Sequence, residues 1–238
     1  MSSMKKCRIN NKWDLILPEH RQVQWSHLWE EKRIDSMYEH LTDKDVLFYV
    51  GAEEGDIPAL CSKWVSKVVL FEPGKRVWSN IKAIWDANKL SLPMCYVGFA
   101  SDKTTNNIFF KGFPPDTSDE IITDHGFMEL RNRNADEIKL DDVPIVSTVV
   151  PTALSIDVEG SEWHVLKGAE KTLKKYHPKI WLSVHPEFMF NQFGTYQADL
   201  RNWIKDLGYT EKLLDYQHEV HLYYEKADFG TIEEVALK

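Results

Sequence analysis

The segment LFYVGAEEGDIP, residues 47–58, joins a short apolar run to a turn that contains two glycines. Gly51 and Gly55 permit a tight turn and a close backbone approach, and a helix after such a turn offers free N–H groups that suit a pyrophosphate. The turn also carries three acidic side chains: Glu53, Glu54 and Asp56. Two like charges about 4 Å apart repel by about 4 kcal/mol at an effective dielectric of about 20. The loop therefore predicts a ligand that carries a positive charge and no phosphate.

S-adenosylmethionine has such a centre in its sulfonium and amino-acid portion. A plain βα turn with solvated acids and Asp56 as a helix cap explains the loop equally well when the loop is taken alone. Glu72 favours a cofactor site over a plain turn, because it ends an apolar run 17 residues after Gly55. Nucleotide-binding folds place a carboxylate about 20 residues past the turn, where it accepts hydrogen bonds from the ribose hydroxyls.

Polar residues also follow the later strand candidates, where ligands of open α/β sheets bind. Ser101 and Asp102 follow the third run, and Asp102 is a candidate acceptor for an adenine amino group. A turn that starts with a Ser-Asp pair is the more ordinary explanation of these two residues.

Asp157 and Glu159 follow the fourth run, before Gly160 and the candidate helix cap Ser161. Alternate residues of an extended backbone point the same way, so the two carboxylates can face one cleft and serve as a base or as a ligand pair for a divalent cation. No metal ligand is assigned. His185, after the fifth run, is a second candidate base, although a structural role is the commoner one for a lone histidine.

The elements that position these residues alternate between strand and helix. Strands are predicted at residues 46–50, in the runs KVVLFEPG and MCYVGFA, and at residues 153–157 and 179–184. Helices are predicted from Asp56 onward and at residues 75–88, about 161–175 and 196–207. The alternation predicts a doubly wound, mostly parallel sheet with helices on both faces, and the run YTEKLLDYQHEVHLYYEK adds an antiparallel hairpin at its edge.

One domain over residues 1–238 is the simplest organisation, with a helical region at residues 1–44 and an irregular insertion or lid at residues 103–150. The leading helices leave a homodimer open. The formal net charge of −8 argues against nucleic acid as a partner. Three widely spaced cysteines indicate reduced thiols and a cytoplasmic protein, and neither a signal peptide nor a membrane span is predicted.

Four stretches together resemble the FkbM family of class I S-adenosylmethionine-dependent methyltransferases. They are VGAEEGDIPALCSKW, VVLFEP, VGFASDK and LSIDVEGSEWHVLKGAEKTL with the following PKIWLSVHPE. The resemblance implies a Rossmann-like sheet of seven strands and methyl transfer, typically to an oxygen of a sugar or other small metabolite. It implies S-adenosylmethionine as the cofactor.

The resemblance also carries residues over one by one. It implies that Gly51, Ala52 and Gly55 form the cofactor loop and that Glu72 is the ribose-binding acid. Asp157, Glu159 and Gly160 match the signature turn of the family. The chain departs from the family at two positions, because Tyr49 stands in place of a usual aspartate and Glu53 in place of an asparagine.

The departure at Tyr49 leaves two functions open. The first is an O-methyltransferase in which Asp157, Glu159 or His185 assists removal of a proton from the acceptor. The second is a binding protein that keeps the fold and has weak or no turnover. A dinucleotide-dependent oxidoreductase is disfavoured by the acidic loop.

Overall fold

A mixed sheet forms the centre of the computed structural model, which describes residues 3–123, 135–216 and 219–227. Within those residues the central sheet has eight strands in the order β11-β12-β10-β9-β3-β4-β5-β7. Two smaller sheets pair β1 with β2 and β6 with β8. The strands are β1 Met4–Ile9, β2 Trp13–Pro18, β3 Val46–Val50, β4 Lys67–Phe71, β5 Met94–Tyr96, β6 Phe99–Ala100, β7 Phe110–Lys111, β8 Glu137–Ile138, β9 Ala153–Ile156, β10 Lys179–Val184, β11 Tyr209–Tyr216 and β12 Val220–Lys226.

Helices flank the sheet and are short. They are α1 Glu19–Gln22, α2 Glu31–His40, α3 Asp56–Cys61, α4 Trp78–Asn88, α5 Val143–Ser147, α6 Glu162–Lys167, α7 Glu170–Tyr176, α8 Pro186–Phe193 and α9 Gln197–Asp206. Single 3-10 turns lie at Gln24–Ser26, Lys75–Val77 and Leu140–Asp142.

Strand β3 shows why the centre of the sheet is apolar on both faces. Its alternate residues enter different cores, with Phe48 and Val50 in one cluster and Leu47 and Tyr49 in the other. Burial on both faces requires a continuous apolar run, and such runs are typical of parallel strands covered by helices. Strands β10, β9, β3, β4 and β5 are parallel neighbours, while β12 and β7 add antiparallel strands at the two ends of this group.

The predicted Rossmann-like fold is confirmed, with one strand more than the seven expected. The additional strand is β7, which comes from the predicted insertion and pairs antiparallel with β5. The predicted hairpin is present as β11 and β12, and its turn at residues 217–218 lies outside the described residues. Residues 124–134 of the insertion, predicted as an irregular segment or lid, also lie outside them.

The N-terminal region differs from the predicted helical region. It begins with the hairpin of β1 and β2, which is joined by Asn10 and Asn11 at positive φ. Asparagine tolerates this left-handed conformation, so the pair is a turn signal that the helical interpretation overlooked. Among the described residues, no helix has both the length and the apolar composition needed to cross a bilayer.

Candidate active site

Strand register brings three of the predicted site residues together. Val50 pairs with Phe71 on one side and with Ile156 on the other. The residues that follow these three positions are Gly51, Glu72 and Asp157. Adjacent parallel strands end at the same edge of the sheet, so the three loops meet there.

Gly51 is required by its conformation and by its neighbour. Its φ is +85°, and a Cβ placed there would lie 1.8 Å from the carbonyl oxygen of Asp157. Gly55 has φ +91°, and a Cβ there would lie 3.1 Å from the Ile81 side chain. Both glycines of the predicted cofactor loop therefore allow backbone geometry that a larger residue would disturb.

Glu72 is fully buried and fixes the glycine loop, residues 51–56, against the end of β4. Its carboxylate accepts hydrogen bonds from the backbone N–H groups of Glu53 at 2.9 Å and Gly74 at 2.7 Å. Burial raises the pKa of Glu72 to about 7, while these two hydrogen bonds act in the opposite direction. The carboxyl group thus titrates near neutral pH.

The three acids of the glycine loop do not act together, which corrects the electrostatic interpretation of the sequence. Glu54 and Asp56 are buried and face Arg21 of α1, with guanidinium-to-carboxylate distances of 3.2 and 2.8 Å. His20 Nε2 lies 2.6 Å from Glu54, and the Trp25 indole N–H donates to Asp56 at 2.8 Å. Because Asp56 makes these contacts, it does not cap α3 as predicted. Two of the three carboxylates thus face Arg21 inside the protein.

Glu53 is the acid of this loop that keeps an exposed surface. Its backbone has φ 47°, so the residue occupies a left-handed position. Desolvation, aided by the nearby Asp157 carboxylate, raises the pKa of Glu53 to about 8. Glu53 therefore gains its negative charge close to neutral pH. Attraction of a sulfonium by this loop rests on Glu53 and on Asp157 from the neighbouring strand.

Tyr49 lies in the core beside a buried arginine, Arg33 of α2. The Arg33 guanidinium lies 3.5 Å from the Tyr49 hydroxyl and 2.8 Å from Asp157 Oδ2, and it donates to Ser155 Oγ at 2.9 Å. Glu30 completes the ion pairing of Arg33. Tyr49, where the family resemblance implies an aspartate, thus faces a cation that already has two carboxylate partners. A direct contact between Tyr49 and a cofactor stays a prediction.

The segment from Arg21 to Glu30 covers the glycine loop. Together with the loop, Tyr49 and Asp157 it encloses a cavity of about 20 Å³. Such a space holds about one water molecule. Entry of an amino-acid group therefore requires this covering segment, residues 21–30, to move away from the loop.

His185 gathers four carboxylates next to the glycine loop. Val184 pairs with Val220, so His185 and Glu219 lie side by side at the strand ends. The Nε2 atom of His185 is 2.7 Å from Glu219, 3.6 Å from Glu159 and 3.7 Å from Asp157. Its Nδ1 atom is 2.7 Å from Glu162. Asp157 and Glu159 thus both face His185, although Glu159 has φ 52° and leaves the extended backbone on which their predicted alternation rested. We call these five residues the His185 cluster.

Charge within the cluster changes the predicted role of His185. Desolvation alone would lower the pKa of His185, but the hydrogen bonds with Glu162 and Glu219 and the charge of Asp157 raise it to about 11. An imidazole that keeps its proton at neutral pH cannot accept another, which corrects the assignment of His185 as a base. Desolvation raises the pKa of Glu159, which is exposed at the edge of the cluster.

Ser101 and Asp102 lie at a cleft beside the His185 cluster. The predicted third strand is divided into β5 and β6, and the two residues follow β6. Asp102 lies 3.2 Å from His164 Nδ1. Both residues line a cleft of about 360 Å³ that also includes Glu159 and Phe193. The adenine contact of Asp102 stays a prediction.

A second cleft, of about 540 Å³, lies on the other side of β5. Val97, which directly follows β5, lines it together with Arg76, Asn106 and Asp136. Asn106 donates to the Asp136 carboxylate at 2.6 Å. The Glu72 N–H bonds to the carbonyl of Tyr96, the residue before Val97, so this cleft starts beside the predicted ribose acid. This cleft, which is lined by both polar and apolar side chains, is the better candidate for an adenine site.

Three residues of the site are absent from the sequence-based assignment: Arg33, Glu162 and Glu219. Glu162 belongs to the quoted run IDVEGSEWHVLKGA, where it stands five residues after Asp157. Glu219 immediately precedes the second strand of the predicted hairpin, and an antiparallel neighbour of β10 must begin at the edge where β10 ends. The position of Arg33 has no such signal, because it meets Asp157 across 124 residues of sequence.

Comparison with known proteins identifies the family. The methyltransferase FkbM domain matches residues 50–211, more than half of the chain. No curated protein matches the sequence.

Solved structures share the fold at low sequence identity. An FkbM methyltransferase from Methylobacillus flagellatus KT aligns with 20% identity and a TM-score of 0.54, over 78% of this chain and 44% of that one. This chain thus spans less than half of that protein's length. A putative methyltransferase from Streptococcus mutans in complex with SAH aligns with 9% identity and a TM-score of 0.52, over 82% and 95%. An rRNA methylase from Streptococcus thermophilus aligns with 11% identity and a TM-score of 0.51, over 81% and 93%.

Proposed function

Because the chain belongs to the FkbM family of methyltransferases, we propose that it moves a methyl group from S-adenosylmethionine to a hydroxyl oxygen of a sugar or other small metabolite. The main support for this proposal is that Gly51, Glu72 and Asp157 meet at the ends of three adjacent parallel strands. The glycine loop supplies close backbone approach. Glu72, which is fully buried in the closed arrangement, supplies the acceptor for ribose hydroxyls once the glycine loop opens.

The chemistry needs alignment more than activation, since the sulfonium already makes the methyl group electrophilic. The acceptor oxygen attacks the methyl carbon, the carbon–sulfur bond breaks, and its electron pair stays on sulfur to give S-adenosylhomocysteine. The hydroxyl proton passes to a carboxylate at the site, Asp157 or Glu159. Holding oxygen and methyl carbon at about 3 to 3.5 Å in line is the main contribution expected of the protein.

The cleft of about 360 Å³ supports a small polar acceptor. Phe193 offers an aromatic face, and Asp102, Lys103 and His164 offer hydrogen-bonding groups around it. Sugars present apolar ring faces and many hydroxyls, which match such a lining. RNA is disfavoured as acceptor, since the net charge of −8 opposes a polyanion.

A second candidate function is a binding protein with weak or no turnover. The observation that favours it is the cavity of about 20 Å³ over the glycine loop, which is far too small for the methionine part of the cofactor. Tyr49 beside Arg33 supports the same alternative, because the usual aspartate is absent. This candidate requires the covering segment to stay closed.

Product analysis separates the two candidates. The protein is incubated with S-adenosylmethionine and a panel of monosaccharides, nucleosides and structured RNA, and S-adenosylhomocysteine and the methylated product are measured by mass spectrometry. We expect turnover with a hydroxylated small acceptor and a loss of about 100-fold or more in Asp157→Asn. Asp206→Asn, an exposed aspartate at the end of α9, is the matched control and should retain full turnover.

Binding measurements complete the test. Saturable S-adenosylhomocysteine binding without turnover for any acceptor supports the binding protein. Binding of NAD in preference to S-adenosylhomocysteine contradicts both candidates and supports an oxidoreductase.

A further inference from the structure

The His185 cluster contains groups that can ligate a metal ion. One oxygen each of Asp157 and Glu219 and one nitrogen of His185 lie within 4.8 Å of one another. His185 and Glu219 are buried, and Asp157 is largely buried. Ligands about 2.1 Å from a shared ion stand roughly 3 to 4 Å apart, so side-chain shifts of about 1 Å would close the set around an ion.

Glu162 orients the imidazole in the manner of a metal-bound histidine. Its Oε1 atom lies 2.7 Å from His185 Nδ1 and also accepts the backbone N–H of Gly160 at 3.1 Å. This carboxylate is fully buried, so it holds the ring in one orientation. A carboxylate on the far nitrogen of a ligating histidine fixes the tautomer and raises the basicity of the near nitrogen. The Nε2 atom is left to face Asp157, Glu159 and Glu219.

The three ligands come from separate elements that the sheet holds in register. Asp157 follows β9, His185 follows β10, and Glu219 precedes β12. Arg33 binds the other oxygen of Asp157, Oδ2, and thereby leaves Oδ1 toward His185. The ligand set is therefore supported by backbone pairing and by a buried ion pair on its outer side.

The ligand chemistry selects the ion. Imidazole nitrogen suits first-row transition metals, and carboxylate oxygens suit manganese among them, whereas an all-oxygen set is typical of magnesium and calcium. Four carboxylates around one imidazole also favour a divalent cation over a neutral ligand.

We propose that Asp157, His185 and Glu219 bind one divalent first-row transition-metal ion, which replaces the Nε2 proton of His185. Glu159 stays at the open side of the site, as the carboxylate left to accept the proton of the hydroxyl. The ion would lie between the glycine loop and the cleft lined by Phe193. A hydroxyl that enters from that cleft would meet it. Metal binding is measured without methyl transfer, so failure of this proposal and failure of the proposed function are distinguishable.

The test is a calorimetric titration with Mn²⁺. The full chain is first treated with a chelator to remove any bound metal. We expect one ion per chain with a dissociation constant below about 100 μM. Glu219→Gln should weaken binding by about tenfold or more, because it replaces an anionic ligand at nearly constant shape. Glu225→Gln, on the exposed end of the same strand, is the matched control and should bind as the wild type does.

A diffraction measurement keeps the proposal testable if Glu219→Gln does not fold. Crystals of the unaltered protein soaked in Mn²⁺ should show one anomalous peak within about 2.4 Å of His185 Nε2. Saturable binding that Glu219→Gln leaves unchanged would overturn the proposal. So would an anomalous map without a peak at His185, or the lack of binding at about 1 mM Mn²⁺.

Discussion

The ionisation of Glu72 predicts how cofactor affinity depends on pH. Burial raises the pKa of this carboxyl group to about 7, and ribose hydroxyls donate most strongly to the ionised form. If S-adenosylhomocysteine binds only that form, the apparent dissociation constant is multiplied by one plus the ratio of protonated to ionised Glu72. That factor is about 11 at pH 6 and about 1.1 at pH 8, so affinity should rise about tenfold between these values.

Glu53 titrates in the same range, with a pKa raised to about 8, so its effect on affinity must be separated from that of Glu72. The assay is therefore calorimetry with S-adenosylhomocysteine from pH 6 to pH 8 on Glu53→Gln and on the double variant Glu53→Gln/Glu72→Gln. We expect the first to keep the rise of about tenfold and the second to bind more weakly with little pH dependence.

The substitution of Glu72 also has a structural cost that the same samples report. A glutamine amide can accept only one of the two backbone N–H groups that Glu72 now holds. At pH 5, where the raised pKa of Glu72 keeps its carboxyl group largely protonated and no buried charge is relieved by the substitution, we expect the free energy of unfolding to fall by about 1 to 3 kcal/mol. Constant affinity across this pH range in Glu53→Gln, or an equal rise in the double variant, would refute the role given to Glu72.

Three further substitutions test interactions that stabilise the glycine loop and the edge of the sheet. Gly51→Ala should prevent folding or lower the unfolding free energy by more than about 3 kcal/mol, because the new Cβ meets the Asp157 carbonyl. Gly194→Ala, the control, also has positive φ but open space around it, and should lower the unfolding free energy by about 1 to 2 kcal/mol. Arg21→Ala removes the guanidinium that faces two buried carboxylates and should cost about 3 to 5 kcal/mol, against about 0.5 kcal/mol or less for exposed Arg8→Ala. Desolvation opposes ionisation of Glu211, yet hydrogen bonds lower its pKa to about 2. Ionised Glu211 therefore stabilises the fold above about pH 4.5, and this stabilisation disappears as the pH falls toward about 2. The stability difference between wild type and Glu211→Gln should therefore shrink between about pH 5 and about pH 3.

Urea denaturation followed by circular dichroism measures all three. Equal costs for Gly51→Ala and Gly194→Ala would show that strain, and not the contact with Asp157, makes Gly51 necessary. A cost for Arg21→Ala no larger than that for Arg8→Ala would contradict the pairing with the buried acids. A stability difference for Glu211→Gln that does not change with pH would contradict its low pKa.

The parallel strands were predictable because local sequence determines them. The runs at residues 46–50 and 179–184 are apolar at nearly every position, and β3 and β10 have those bounds. The helix predicted at about 161–175 is instead divided into α6 and α7 around Gly168. A Cβ at Gly168 would lie 1.8 Å from the Ser101 carbonyl, so tertiary packing imposes the break.

The site was predictable where it follows from the sheet and unpredictable where it depends on side-chain partners. Gly51, Glu72 and Asp157 follow strand ends, and the rule for ligands in open sheets selects them. The partners of the acidic residues could not be predicted in this way. Arg21 and Arg33 come from N-terminal segments, and nothing in their local sequence indicates that they contact the sheet. The charge facing a ligand therefore could not be read from the acids alone.

The most direct measurement is a crystal structure of the full chain grown with S-adenosylhomocysteine. In that structure the ribose hydroxyls should bind the Glu72 carboxylate, and the amino-acid end of the ligand should lie against the glycine loop. The covering segment should be displaced from the loop. The sulfur should be directed toward the cleft that contains Phe193. S-adenosylhomocysteine bound away from Glu72, or a glycine loop still closed at saturating ligand, would contradict the central claim.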